Sequence, residues 1–552
     1  MITRTTFFCA GLFVVLMTAC NTNNEKETLD EGVAGFHTDS LKQHVAILAS
    51  DSFMGRKPFT EGETRTLDYL QAQYKKIGLE AANGNSYLQE VPMVNIQATA
   101  APTMAVKSAK GDFTLKAYDD YIIWTDKPDS VERFENTPVV FAGYGVVAPE
   151  YNWNDYAGLD VKGKIVIVMV NDPGFWAGDS TLFKGTTMTY YGRWTYKFEE
   201  AARQGAKGCL IVHNTKAASY PFSVQQKSFN TSRLQLDTRG QNIPACDIIG
   251  WVTEATVNKL FEAAGFDSTL LQKANGKGFK AMPLNMQLTT SMTVKSTYNK
   301  SYNVVGKITG SKRPGEVIVY SAHWDHLGIG RPDPSGDSIY NGALDNASGT
   351  AGLLELARVF KNLKTPPERT ILFLCVTAEE QGLLGSAWYV RHPLYPADRT
   401  VANINMDGLN AYGNTKDIIV IGEGQSVLED YLEEIVKKDS GYISFDTHSE
   451  AGYYYRSDHF NFAKAGIPAL YTKSGIDITG RGKLYGQQLK DEYTGKHYHQ
   501  PSDNYDAATW TMEGAVQQLR LLFQVGKRLA FETEFPNWKE GSEFKAIRDG
   551  KK

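Results

Sequence analysis

At 552 residues the chain exceeds the length at which one hydrophobic core usually stops growing, so at least two structural units are expected. A hydrophobic fraction of 42%, with 29 Tyr and 26 Phe, excludes a disordered chain. The formal net charge of -4, with both signs mixed along the sequence, gives no basic field for a phosphate backbone and excludes nucleic acid as a partner.

The first twenty residues place Arg4 before the apolar run Phe7 to Met17, followed by Thr18, Ala19 and Cys20. This reads as a signal peptide over residues 1–19. The run is about half the roughly 20 residues a membrane-spanning helix needs, and no later segment is long and apolar enough. Small residues before Cys20 resemble the bacterial lipoprotein cleavage box, although Met17 stands where the common pattern prefers Leu. That resemblance implies an exported protein of the bacterial cell envelope, touching the membrane only through a lipid anchor at Cys20; an ordinary secreted protein is the alternative. Residues 20–35 are polar and acidic, a flexible tether. Cys209, Cys246 and Cys375 are too scattered for a zinc site and read as small buried hydrophobes, with a Cys209 to Cys246 disulfide left open.

Two helices are predicted next, Asp39 to Ser50 and Glu61 to Ile77, the second with Leu67, Leu70, Tyr74 and Ile77 on one face and Gly78 as its C-cap. They fall in the first part of a main domain, residues 36–131. Between 132 and 290 short apolar strands alternate with Gly, interrupted by helices at Trp194 to Gln204 and from a Thr253 cap to Gly265. No metal-ligand cluster stands out there, and A-G-Y-G-V with K-G-K-I-V-I-V resembles the protease-associated domain found inserted in several peptidases. From 291 to 535 apolar strands (Val317 to Ala322, Thr370 to Val376, Val401 to Met406, Ala469 to Thr472) alternate with helices at Gly349 to Phe360 and Val516 to Leu529. The pattern predicts an α/β fold, a mixed, mostly parallel sheet flanked by helices, with a β-rich insert and a C-terminal tail at 536–552. Ligands of such sheets gather beyond the carboxyl ends of the strands.

Chemistry-bearing residues collect at those ends. The first strand runs into S-A-H-W-D-H, presenting His323 and then Asp325; N-G-A-L-D-N-A-S-G holds Asp345 in a turn before a helix; T-A-E-E-Q-G puts Glu379 and Glu380 straight after a buried strand; Asp407 follows Met406; and Y-H-Q-P-S-D brings Tyr498 and His499. Each alone has an ordinary structural explanation. Adjacent carboxylates at a buried strand end, however, repel unless a cation is near. Two His and three carboxylates suit a pair of zinc ions, one aspartate bridging. His326, His459 and His497 are the rival ligands.

The series H-x-D, D-N-x-S-G, A-E-E-x-G, M-D and Y-H resembles the co-catalytic zinc aminopeptidases of metallopeptidase family M28, with the zinc exopeptidase fold. The resemblance implies two Zn²⁺, with Asp345 as bridge, His323 and Asp407 on one ion and Glu380 and His499 on the other. It further implies Glu379 as general base, Asp325 orienting His323 through the other ring nitrogen, and Tyr498 polarising the scissile carbonyl, unless Tyr498 is a packing residue. Peptides are then the substrates, cleaved at the N-terminal bond. Alternatives on the same fold are a one-zinc glutaminyl cyclase, a carboxypeptidase using Arg456 or Arg481 for a substrate carboxylate, and a catalytically silent receptor-like ectodomain.

Overall fold

A computed structural model describes residues 30–550, so the leader and Cys20 lie outside the described residues. Helices α1 (Thr38–Leu48) and α2 (Glu61–Ile77) form as their apolar spacing requires, burying Leu41, Val45 and Leu48 in one and Leu67, Leu70 and Tyr74 in the other. Gly78 ends α2 at φ +83°, its N–H returning to Tyr74 and Lys75, the left-handed cap a glycine takes without steric cost.

The chain then enters β1 (Leu88–Ala100) and builds the β-rich unit around β2 (Ile165–Met169), α3 (Trp194–Arg203), β3 (Gly208–His213) and β4 (Ile248–Thr253), with β2, β3 and β4 parallel. Thr253 caps the following helix, its side chain accepting the Thr256 N–H. Strand β5 (Met282–Ile308) closes the unit and continues into the next. Met104, Val106, Leu115 and Tyr121 share a core with Phe141, Ile167, Leu210 and Val252, so this unit begins well before residue 132. Cys209, Cys246 and Cys375 are buried and unbridged.

The second sheet takes the C-terminal end of β5 and adds β6 (Arg313–His323), helix α4 (Ser348–Lys361) over one face, β7 (Arg369–Val376), β8 (Thr400–Asn405), β9 (Asp417–Val420), β10 (Tyr442–Phe445) and β11 (Ala469–Ser474). Its strand order is β5-β7-β6-β8-β11-β9-β10; β7, β6, β8 and β11 are mutually parallel, β5 runs against β7, and β9 and β10, parallel to each other, run against β11. Helices α5 (Gly482–Glu492) and α6 (Glu513–Phe531) follow. α1, α2, α4 and α6 cover one face, sharing a core through Leu41, Tyr74, Leu353 and Leu519; the short helices Leu384–Arg391 and His459–Lys464 cover the other through Tyr389 and Phe462. The fold is thus the mixed, mostly parallel α/β sheet with a β-rich companion.

Both ends of the described chain are docked. Glu31 accepts from Lys527 Nζ through its carbonyl at 2.8 Å, and in the segment expected as a tail Trp538 and Phe544 are buried. Buried Glu543 accepts from Tyr455 OH at 2.8 Å and from the Tyr190 N–H at 3.2 Å, tying the C-terminus to both units. No helix among the described residues is long and apolar enough to cross a membrane.

Candidate metal centre

Strand β6 lies between β7 and β8, with His323 opposite Val376 and Ser321 opposite Asn405, so three parallel strands end at one edge of the sheet. Their next residues are therefore neighbours: His323 on β6, Glu379 and Glu380 just beyond β7, and Asp407 just beyond β8. Asp345 comes in from the turn before α4, and His499 from the segment after α5, held at φ +57°.

Asp345 stands between the two histidines. Its Oδ1 is 3.1 Å from His323 Nε2 and its Oδ2 is 3.3 Å from His499 Nε2. Asp407 Oδ1 adds a second carboxylate 3.6 Å from His323 Nε2, and Glu380 Oε2 lies 3.1 Å from His499 Nε2. The structure thus brings together the five expected ligands. Two triplets of donor atoms fall within 4.8 Å of one another: His323, Glu379 and Asp407, and His326, Asp345 and Glu380.

The supporting residues differ in part from expectation. His323 Nδ1 is closer to the backbone oxygen of Asp325, 3.1 Å, than to its carboxylate, 3.8 Å; the carboxylate instead accepts the Glu379 N–H at 3.0 Å. Asp325 therefore holds the His323 ring with its main chain and the Glu379 backbone with its side chain. Tyr498 stacks on His499 with ring centroids 3.9 Å apart and remains half exposed. Of the rival histidines, His326 is fully buried with Nδ1 2.7 Å from Glu380 Oε1. His459 is buried between Tyr454 and Tyr471, with neither nitrogen hydrogen-bonded. His497 ends a single π-helical turn, Tyr493–His497, and its ring faces Ser502.

Asp503, Tyr471 and Lys473 also belong to the site and carried no role in the sequence. Asp503 accepts from the N–H groups of Leu344 and Asp345; Tyr471 OH donates to Asp407 Oδ2 at 3.3 Å; Lys473 Nζ donates to the Asp407 carbonyl and lies 3.6 Å from Oδ1. Asp503 stands in the quoted Y-H-Q-P-S-D run, the one available signal.

Burial pushes Asp325 and Asp458 each up to about 7. Burial, then the charges of Glu380 and Asp407, raises Glu379 well above the carboxylate range. Such a concentration of carboxylates, around a buried His323 Nε2 with no hydrogen-bond partner, fits divalent cations with nitrogen and oxygen ligands.

Fold and site together define an α/β domain with a histidine and carboxylate centre at its strand ends. Residues 303–523 match the profile of Peptidase family M28 and residues 135–253 that of the PA domain. The chain therefore carries an M28 peptidase domain preceded by a PA domain. It is 27% identical over 339 residues to "Aminopeptidase YwaD" of Bacillus subtilis, covering 58% of this chain and 57% of that one. It is 30% identical over 151 residues to "Carboxypeptidase Q" of Bos taurus, covering 26% and 29%. The chain thus spans between about a third and somewhat over half the length of these relatives. Among solved structures, an aminopeptidase from Aneurinibacillus sp. strain AM-1 is similar at 18% identity and a TM-score of 0.47, over 92% of this chain and 97% of that one.

Proposed function

We propose that the chain is a dinuclear zinc aminopeptidase that hydrolyses the N-terminal bond of peptides. The observation that carries this reading is the placement of Asp345, whose two oxygens face His323 on one side and His499 on the other, as a bridging carboxylate does. His323 and Asp407 would hold one zinc and Glu380 and His499 the other. When bound, zinc supplies Lewis acidity toward a peptide carbonyl and toward water.

The protein's own groups do the rest. Glu379, fixed through its backbone by Asp325, takes a proton from the attacking water and delivers it to the departing amine. Tyr498, half exposed above His499, meets the substrate carbonyl oxygen and donates to it as charge develops. Export and anchoring at Cys20 belong to the same reading, and are tested by membrane fractionation of the wild type against Cys20→Ser.

The deciding experiment is metal analysis with product identification on a free-amine peptide library and its N-acetylated counterpart. Two zinc per chain and release of single N-terminal residues from the free-amine set alone are expected. Equal cleavage of both sets, release from the C-terminus, or one zinc with pyroglutamate formation overturns the assignment.

A further inference from the structure

We infer that Arg56, far from the other site residues in sequence, is a positioning residue of the metal centre, clamping the loop after His323 to the turn before Asp345. The inference rests on the metal site proposed above. Arg56 is 1% exposed, and its side chain bonds only to main-chain carbonyls. Nε donates to Trp324 at 2.8 Å, Nη1 to Asn341 at 2.5 Å and to Leu48 at 2.7 Å, and Nη2 to Gly342 at 2.9 Å. Trp324 directly follows His323, and Asn341 and Gly342 lead into Asp345. The Arg56 carbonyl in turn accepts the His326 N–H at 3.4 Å.

Two further observations separate this from ordinary packing. Met54, Gly55 and Arg56 are all left-handed, at φ +52°, +65° and +48°, a conformation unfavourable for the two residues with side chains. A Cβ on Gly55 would sit 2.6 Å from the carbonyl oxygens of Gly328 and Tyr340, so the segment is pressed against the loop joining the two ligand-bearing stretches. Second, a buried guanidinium without a carboxylate bond is costly unless charge nearby balances it. The charges that favour Arg56 are Asp503, Asp325, Asp345 and Glu380, the centre's own carboxylates, opposing the burial that lowers it to about 10. Arg56 is thus a fixed countercharge that also sets the spacing of the two loops. Lysine would preserve the charge but not a fork reaching three segments.

The test titrates full-length, metal-stripped wild type and Arg56→Lys with Co²⁺, reading affinity by chelator competition and coordination by the visible absorption bands. Unfolding of the metal-free proteins is measured alongside. We expect Arg56→Lys to stay folded, to lose about 10- to 100-fold in Co²⁺ affinity with altered bands, and to lose kcat more than KM. A folded Arg56→Lys with wild-type affinity and bands overturns the inference. Should that variant not fold, hydrogen exchange on the wild type decides: Co²⁺ must protect residues 51–58 together with 323–345, and unchanged exchange in 51–58 overturns it. A wild type that takes up no Co²⁺ instead sinks the metal-site reading itself.

Discussion

The carboxylate of Asp503 accepts the backbone N–H groups of Leu344 and Asp345, at 3.0 and 3.1 Å, and so fixes the main chain of the residue that faces both histidines. Asp503 is itself held by Tyr493 OH at 3.1 Å. In Asp503→Asn the amide NH₂ cannot accept, so one backbone N–H loses its partner and the turn shifts. Zinc affinity is expected to fall about 10- to 100-fold, as for other groups that orient ligands, with unfolding of the metal-free protein little changed. Chelator competition measures it, and an unaltered affinity would remove Asp503 from the site.

Replacing Glu379 by Gln keeps shape and removes the proton acceptor. A kcat loss on the order of 10² to 10⁴-fold is expected, with zinc content by elemental analysis kept at the wild-type value. Because Glu379 also lies within ligand distance of His323 and Asp407, loss of zinc would reassign it from base to ligand.

His459 gives a stability prediction. Burial lowers its pKa to about 3, so the folded protein keeps the ring neutral while the unfolded chain protonates it near 6.5. The folded-state value is depressed, so stability is complete above pH 6.5 and is lost as pH falls toward 3, by about 1.4 kcal/mol per pH unit. His459→Phe, which keeps a ring between Tyr454 and Tyr471, should flatten that acid limb. Urea unfolding of both proteins from pH 7 to pH 4 reads the difference, and parallel curves would contradict it.

Glu543 is the buried acceptor shared by Tyr190, Tyr455 and Gln425, with Lys184 3.5 Å away. Glu543→Ala leaves several buried donors unpaired and is expected to destabilise the protein by about 2 to 4 kcal/mol. Thermal unfolding and protease susceptibility of residues 536–550 check this; a tail that frays without lowering overall stability would limit its role to the surface.

The strand-end residues were legible because a short apolar run terminating in His or an acid is a local pattern, and parallel pairing then brings His323, Glu379, Glu380 and Asp407 together. Asp345 and His499 lie in turns, where the motif resemblance rather than periodicity located them. Arg56 and Asp503 were not legible as site residues. Their partners are backbone carbonyls and N–H groups distant in sequence, and hydrogen bonds to main chain leave no complementary residue to find. The start of the β-rich unit was hidden for a related reason: β1 and β5 continue through both cores, so composition changes later than packing does.

Strand β5 pairs with β1 from Met292 through Val304, and the same β1 sends Val91 and Met93 against Ala378 and Leu384, beside Glu379 and Glu380. The two cores are thus joined by a continuous pair of hydrogen-bonded strands, one of which packs directly on Ala378, the residue before Glu379.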